Sequence, residues 1–248
     1  MTARPHPAWT SPALLAEPAG QTPAYETKFL VPPSVAAEVE AWAAGHLVRD
    51  PHGDPDRNHR YQVTSLYFDT PTFDVCLRTE GFRRHKHRVR RYGADPVVHL
   101  ERKSKRDGQV WKVRTPLPVA GLTRLAGGSV PEPAAWFAQQ LAERGLRPVC
   151  RISYDRTAFV GAGPAGPIRL TLDRSAVGAM TADPVSDPVT DGVPLLTDGV
   201  ILEMKYLTVM PAVFKDVVER HRLAPATVSK YRRFAAAAGL VPEGSDDV

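Results

Sequence analysis

Seven short stretches of this chain set charged or hydroxyl-bearing side chains one residue apart. Glu26 precedes Lys28; Lys86, Arg88 and Arg90 alternate, as do Glu101 with Lys103, Lys112 with Arg114, Tyr154 with Arg156, Arg169 with Thr171 and Asp173, and Glu203 with Lys205. In extended backbone, residues i and i+2 share a face, so each stretch read as a strand carries its ions on one side. The other side is often apolar: Phe29, Leu100, Trp111 and Val113, Leu170 and Leu172, Leu202 and Met204. The chemistry such a set supports is phosphate recognition, because the planar fork of Arg matches pairs of phosphate oxygens. The interleaved glutamates would repel phosphate directly. They suit a hard divalent cation, Mg²⁺ or Mn²⁺, that bridges to the phosphate oxygens.

The elements that must position these residues are mostly strands. Alternation and turn signals predict strands over 25–31, 63–69, 83–92, 97–102, 110–117, 151–160, 168–172 and 200–206. Asp107-Gly108 predicts a tight hairpin, and Gly161 to Gly166 a longer hairpin loop. Helices are predicted from Ser34, as N-cap, through Val39; over Pro131 to Arg144, with Trp136, Phe137 and Leu141 at helical spacing; over Ala212 to Arg222; and over Ala226 to Ala238, ending at Gly239. An antiparallel sheet with charges turned to bulk water accounts for any single strand. It accounts less well for all of them, since a solvent face mixes in Ser, Thr and Gln. Helices outside need an apolar face to cover, and closing the sheet under them puts the ions in the lumen of a barrel. That lumen must hold water and an anion, because each unpaired buried ion costs several kcal/mol. The expected class is α+β: a closed, mainly antiparallel β-barrel tunnel with a charged lumen and flanking helices.

Composition narrows the rest. The 248 residues carry a net charge of +5, and between Arg78 and Arg114 thirteen Lys or Arg face four acids, so the basic character is local. No apolar run approaches the roughly 18 residues of a membrane span, and no secretion signal opens the chain, which predicts a cytoplasmic protein. Cys76 and Cys150 are too few for a disulfide framework and read as reduced packing residues, as Trp111 and Trp136 read as core. His85-x-His87 has the look of a metal pair, but its phase sets it opposite Arg88. Pro-rich residues 1–23 read as a disordered tail, 24–241 as one domain, and 242–248 as a flexible end.

The strings Tyr25-Glu-Thr-Lys-Phe-Leu-Val31, Ser65-Leu-Tyr-Phe-Asp-Thr-Pro71, Lys86-His-Arg-Val-Arg-Arg-Tyr92, Leu100-Glu-Arg-Lys103, Arg151-Ile-Ser-Tyr-Asp-Arg156, Arg169-Leu-Thr-Leu-Asp173, Leu202-Glu-Met-Lys-Tyr206 and Ser229-Lys-Tyr231, taken in order, resemble a VTC domain. This is the polyphosphate polymerase branch of the triphosphate tunnel metalloenzymes, related to the CYTH proteins. The resemblance implies transfer of the ATP γ-phosphate to a growing polyphosphate chain, with release of ADP. It implies that Lys28, Arg88, Arg90, Lys103, Arg156, Arg169 and Lys205 grip phosphates and that Tyr154 hydrogen-bonds one. Glu203 would hold Mn²⁺ or Mg²⁺, with Glu26 and Glu101 either further metal ligands or orienters of Lys28 and Lys103. Ser229 and Lys230 would meet the nucleotide phosphates at one mouth, and Lys86 and Lys112 add cations. The cyclase and triphosphatase branch begins with two alternating glutamates, and the first of those positions here is Ala24. That departure argues against two-metal hydrolysis, although a tunnel triphosphatase and a non-catalytic polyanion-binding module share the same cations. ATP and polyphosphate are the expected partners, nucleic acid is not, and any export would fall to a separate membrane protein. The sequence leaves the oligomeric state open.

Overall fold

The structure, a computed structural model, describes residues 22–126 and 130–242. Most of the expected N-terminal tail, and residues 243–248 of the expected C-terminal one, lie outside the described residues.

In chain order the elements are β1 (Ala24–Val31), α1 (Pro33–His46), β2 (Val48–Arg49), β3 (Tyr61–Asp69), α2 (Asp74–Leu77), β4 (His85–Tyr92), β5 (Val97–Arg106), β6 (Gln109–Pro118), α3 (Glu132–Glu143), β7 (Arg147–Gly163), β8 (Gly166–Met180), β9 (Val193–Pro194), β10 (Val200–Tyr206), α4 (Ala212–Arg220) and α5 (Lys230–Ala237). Sheet order is β2-β7-β3-β4-β5-β6-β1-β10-β8-β9, and β7 also pairs with β8. That last pairing closes eight strands into an antiparallel barrel, with β2 and β9 as two-residue additions. The seam between β1 and β6 is short, only Ala24↔Val110 and Tyr25↔Gln109. Past it, the chain just before α5 takes over the free edge of β1, where Ala226 N–H donates to the Lys28 carbonyl at 2.8 Å.

Apolar packing falls on both sides of the wall. Outside, α1 and α4 cover Phe29, Leu170, Leu172, Leu202 and Met204, and α3 lays Phe137 and Leu141 on Leu66, Val89 and Leu100. Inside, α5 inserts Tyr231, Phe234 and Ala235 against Tyr67, Cys150, Ile152 and Ala176. A Cβ on Gly178 would stand 2.3 Å from the Phe234 ring, so α5 lies directly on the wall. Part of the interior is thus filled by a helix and part is left to the ions.

Several local expectations change. The helix predicted with Ser34 as N-cap begins two residues earlier, with Pro32 at the N-cap, because Pro33 fits the first helical position, where its missing N–H would have no partner anyway. The helix predicted from Ala226 begins at Lys230, since residues before it are held extended along β1, and Ser229 serves as its N-cap. Gly161 to Gly166 is no long loop: Gly161 and Gly163 stay in β7, and Gly163↔Gly166 is closed by two residues. A Cβ on Gly161 would stand 2.8 Å from Leu47 Cδ2, so a larger residue there would require that side chain to move. At Asp107-Gly108 both φ values are positive, 50° and 79°, and the hairpin is the tight one expected. Trp111 is 38% exposed rather than core, because it lies toward the hairpin tip, past Thr115, whose hydroxyl accepts from Trp136 of α3. Cys76 and Cys150 are free and buried.

Candidate active site in the lumen

Strand register converts the alternation into geometry. Lys28 lies opposite Glu203, Glu26 opposite Lys205, and Lys205 opposite Arg169, so β1, β10 and β8 turn one ionic face inward. Across the barrel Lys86, Lys103 and Lys112 form one rung of β4, β5 and β6, and Arg88, Glu101 and Arg114 the next. Arg156 and Asp173 face each other on β7 and β8. The side chains of Lys28 and Glu203 keep 27% and 21% of their surface open and Arg169 33%, so water reaches an enclosed site.

The carboxylates are tied to cations. Glu101, wholly buried, accepts from Arg88 Nε at 2.7 Å and faces Lys112 Nζ at 3.3 Å and Arg114 Nε at 3.5 Å. Burial alone would raise its pKa, but Lys112, Arg88, Arg90 and Arg114 hold it well below the usual carboxylate range. Asp173 accepts from Arg156 Nε and Nη2, at 2.6 and 2.8 Å, and from Lys230 Nζ at 2.5 Å; against burial, these cations bring it to about 2. Glu26 pairs with Lys103 at 2.5 Å, and Glu203 with Lys28 at 3.5 Å. Burial works against ionisation of Glu203 also, yet Lys28, Lys103, Arg156 and Lys230 keep it well below its ordinary value. Lys28 is raised, burial being outweighed by Glu203 and Glu26.

Lys86 stands apart. Its ammonium donates to Ser229 Oγ at 3.0 Å, and among the described residues no carboxylate pairs with it. Burial and the neighbouring charges of Lys28, Arg232, Lys103 and Arg78 drive its pKa well below that of an ordinary lysine. Lys103 is lowered as well, burial exceeding the help of Glu26. This part of the lumen is therefore short of negative charge, which is the electrostatic condition for binding an anion.

The structure brings the predicted residues to this one interior. Tyr154 accepts from Arg90 Nη2 at 3.0 Å and carries Lys230 over its ring at 4.2 Å. Ser229 and Lys230 reach in from the start of α5, and Lys28 Nζ also donates to the Val228 carbonyl at 3.3 Å. Lys205 sits half-buried between Glu26 and Arg169. Further residues belong to the same set. Ser65 accepts from Arg90 at 3.2 Å, and Asp50 and Tyr61 accept from Arg169 at 2.6 and 3.0 Å. Tyr92 stacks edge-on with Tyr61 and accepts from Arg114 at 3.1 Å. Tyr61 and Ser65 were open to the same i, i+2 reading on β3. Asp50 follows a two-residue strand in irregular chain, where no periodicity marks it.

His85 and His87 do not meet a metal geometry: His85 Nδ1 pairs with Ser104 Oγ at 2.8 Å and His87 Nε2 with Gln140 at 2.7 Å on the outer side. Among the described residues no three His, Cys, Asp or Glu side chains cluster. A divalent ion would have to draw on one or two lumen carboxylates and complete its shell with phosphate and water oxygens, a donor set Mg²⁺ commonly takes. Glu203 and Glu26 fit that role, each paired to a single lysine by the contacts above. Glu101 is the weaker candidate: its Oε2 is bonded to Arg88, while Oε1, without a hydrogen bond, lies 3.3 and 3.5 Å from Lys112 and Arg114.

Comparison with known proteins agrees with this architecture. No curated protein matches the chain significantly. A candidate adenylate cyclase from Bacillus halodurans shares the fold at a TM-score of 0.56 and 15% identity, over 87% of this chain and 98% of that one. A candidate adenylyl cyclase from Hippeastrum with a dominant triphosphatase activity aligns over 91% of this chain and 100% of its own, at 13% identity and a TM-score of 0.46. The family model of the VTC domain matches residues 23–238, nearly the whole barrel and its helices. With that span matched and the closed tunnel in place, the chain belongs to the VTC domain family.

Proposed function

We propose that this protein is a metal-dependent polyphosphate polymerase, in which residues 24–241 form one working unit that moves the γ-phosphate of ATP onto a polyphosphate chain. The observation that carries the reading is the unbalanced lumen: cations from the barrel strands and α5 outnumber the carboxylates, and Lys86 has no counterion among the described residues. A chain of phosphates supplies negative charge at every unit and would neutralise successive rungs.

Phosphoryl transfer asks the protein for alignment and charge neutralisation more than for covalent chemistry. Arg88, Arg90, Arg156, Arg169, Lys28, Lys103 and Lys205 would grip the triphosphate and the acceptor, with Lys86 and Lys112 adding charge and Tyr154 a hydroxyl. Ser229 and Lys230 would fix the nucleotide phosphates beside α5. Glu203 and Glu26 would hold Mn²⁺ or Mg²⁺, whose charge would help neutralise the phosphate oxygens. A terminal phosphate oxygen of the acceptor attacks the γ-phosphorus, the bond from that phosphorus to the β–γ bridging oxygen breaks, and ADP leaves. This acceptor is already an anion and needs no base. Water would need one, and Glu101, Glu203 and Asp173, all held ionised at low pKa, are weak bases. The buried methyl of Ala24, in the β1 position of alternation before Glu26, leaves one carboxylate fewer for a second metal.

No helix among the described residues is long and apolar enough to cross a membrane. The reading is of a cytoplasmic enzyme whose product, if exported, passes through a separate membrane protein. The test is to incubate purified protein with ATP and Mn²⁺ and resolve the products. ADP with a ladder of polyphosphate is expected; ADP with free phosphate alone would make it a triphosphatase, and intact ATP a binding module.

A further inference from the structure

The strands that line the lumen carry a second group of cations on their outer side. Along β4 and β5, His85, Arg102, Ser104 and Arg106 alternate with the inward Lys86, Lys103 and Lys105. Arg144, just past α3, reaches the same spot, donating to the Gly81 carbonyl at 3.0 Å and lying over the Phe82 ring at 5.5 Å. The charges of Arg102, Arg106 and Arg144 on this side, and of Arg84 beside it in sequence at the rim, all bear on His85. Together with burial they hold its pKa below the ordinary histidine value. None of the four forms a salt bridge with a carboxylate among the described residues, and Arg102 Nε is buried without a hydrogen-bond partner.

This group is continuous with the lumen over the rim of the barrel. Lys105 N–H donates to the Arg84 carbonyl at 3.2 Å, which extends the β4–β5 ladder one pair beyond His85↔Ser104. The pairs Arg88–Glu101, Lys86–Lys103 and Arg84–Lys105 therefore run in line at steps of roughly 7 Å, two residues of strand. The last pair is exposed. Arg102 and Arg106 flank it on the opposite face.

We propose that the rim and this outer wall form a second phosphate-binding site, which holds the polyphosphate chain where it extends beyond the lumen. The inference rests on the polymerase reading, which supplies the polymer. Arginines gathered at one end of two strands, on both faces of the rim, favour a flexible chain of phosphates over a flat bilayer, which would use cations spread across a surface. A chain already gripped by the lumen meets the outer cations at high effective concentration, so modest contacts suffice to retain it.

The test compares affinities of the full chain for inorganic tripolyphosphate and for a long-chain polyphosphate, at fixed ionic strength. Two variants are used: Arg106→Gln with Arg144→Gln, and Arg84→Gln with Arg106→Gln, the latter pair touching only exposed side chains. Each should weaken long-chain binding at least about tenfold. Tripolyphosphate affinity, which also reports a folded lumen, should hold, and the ATP-driven product should shorten. Equal affinity of wild type and both variants for the long chain would overturn the site. So would loss of binding to anionic phospholipid vesicles or to single-stranded RNA with long-chain polyphosphate affinity intact. A wild type that makes no polymer from ATP, yet binds long chains by way of these arginines, would sink the polymerase reading and support the site.

Discussion

Individual side chains decide whether the lumen works. In the proposed mechanism Lys205 and Arg90 would stabilise charge on the phosphate in transfer, so Lys205→Ala or Arg90→Ala should lose on the order of 3 kcal/mol of transition-state stabilisation, about a hundredfold in kcat. Steady-state kinetics with unchanged melting temperature checks this, and near-normal turnover would refute it. Asp173 gives a pH prediction. Its pKa falls from 3.8 to about 2 through Arg156 and Lys230 in spite of burial. A carboxylate depressed in the folded state stabilises the protein above its unfolded pKa and loses that contribution as pH drops through the folded one. Between about pH 4 and pH 2 this group should therefore forfeit on the order of 2 kcal/mol. Denaturant unfolding across that range should show a loss smaller by about that amount in Asp173→Asn, which lacks this titrating group, than in wild type. The inward side of these residues was legible because a strand repeats every two positions. What each side chain touches was not: Glu101, read as a metal ligand or an orienter of Lys103, is the buried counterion of Arg88 on one neighbouring strand and of Lys112 and Arg114 on the other. Asp50 carries no periodic signal at all.

At the scale of elements, the start of α5 joins stability to function. Ser229 caps the helix by accepting from Arg232 N–H at 3.4 Å, and it also accepts from Lys86. Ser229→Ala should cost about 1 kcal/mol of cap stability. Ser229→Asp keeps an N-cap acceptor and a partner for Lys86, but it adds a negative charge where phosphate is to bind. Its melting temperature should stay near that of wild type while turnover falls at least about tenfold; equal activity of Asp and wild type would remove Ser229 from the phosphate site. The strands were legible from alternation and the Asp107-Gly108 turn. The ends of helices were less so, because they depend on partners distant in sequence: α5 starts late since Ala226 is bonded to Lys28 across the seam. Trp111 misled for a related reason, as its exposure depends on how far α3 extends over the sheet.

For the whole molecule, closure is what makes an ionic face affordable. Ten strands in a flat sheet would expose these cations to bulk solvent, where each is worth little. Closed, they share a hydrated interior, and their attraction for an anion is screened less. Tripolyphosphate should therefore stabilise the protein against heat, by about 2.7 kcal/mol at a hundred times its dissociation constant. Differential scanning calorimetry should show the rise diminishing as salt is added. The most direct measurement is a crystal structure with tripolyphosphate bound. The account predicts phosphates inside the barrel, in contact with Arg88, Arg156 and Lys205; phosphates on the outer wall alone, with the lumen cations still paired only to their own carboxylates, would contradict it.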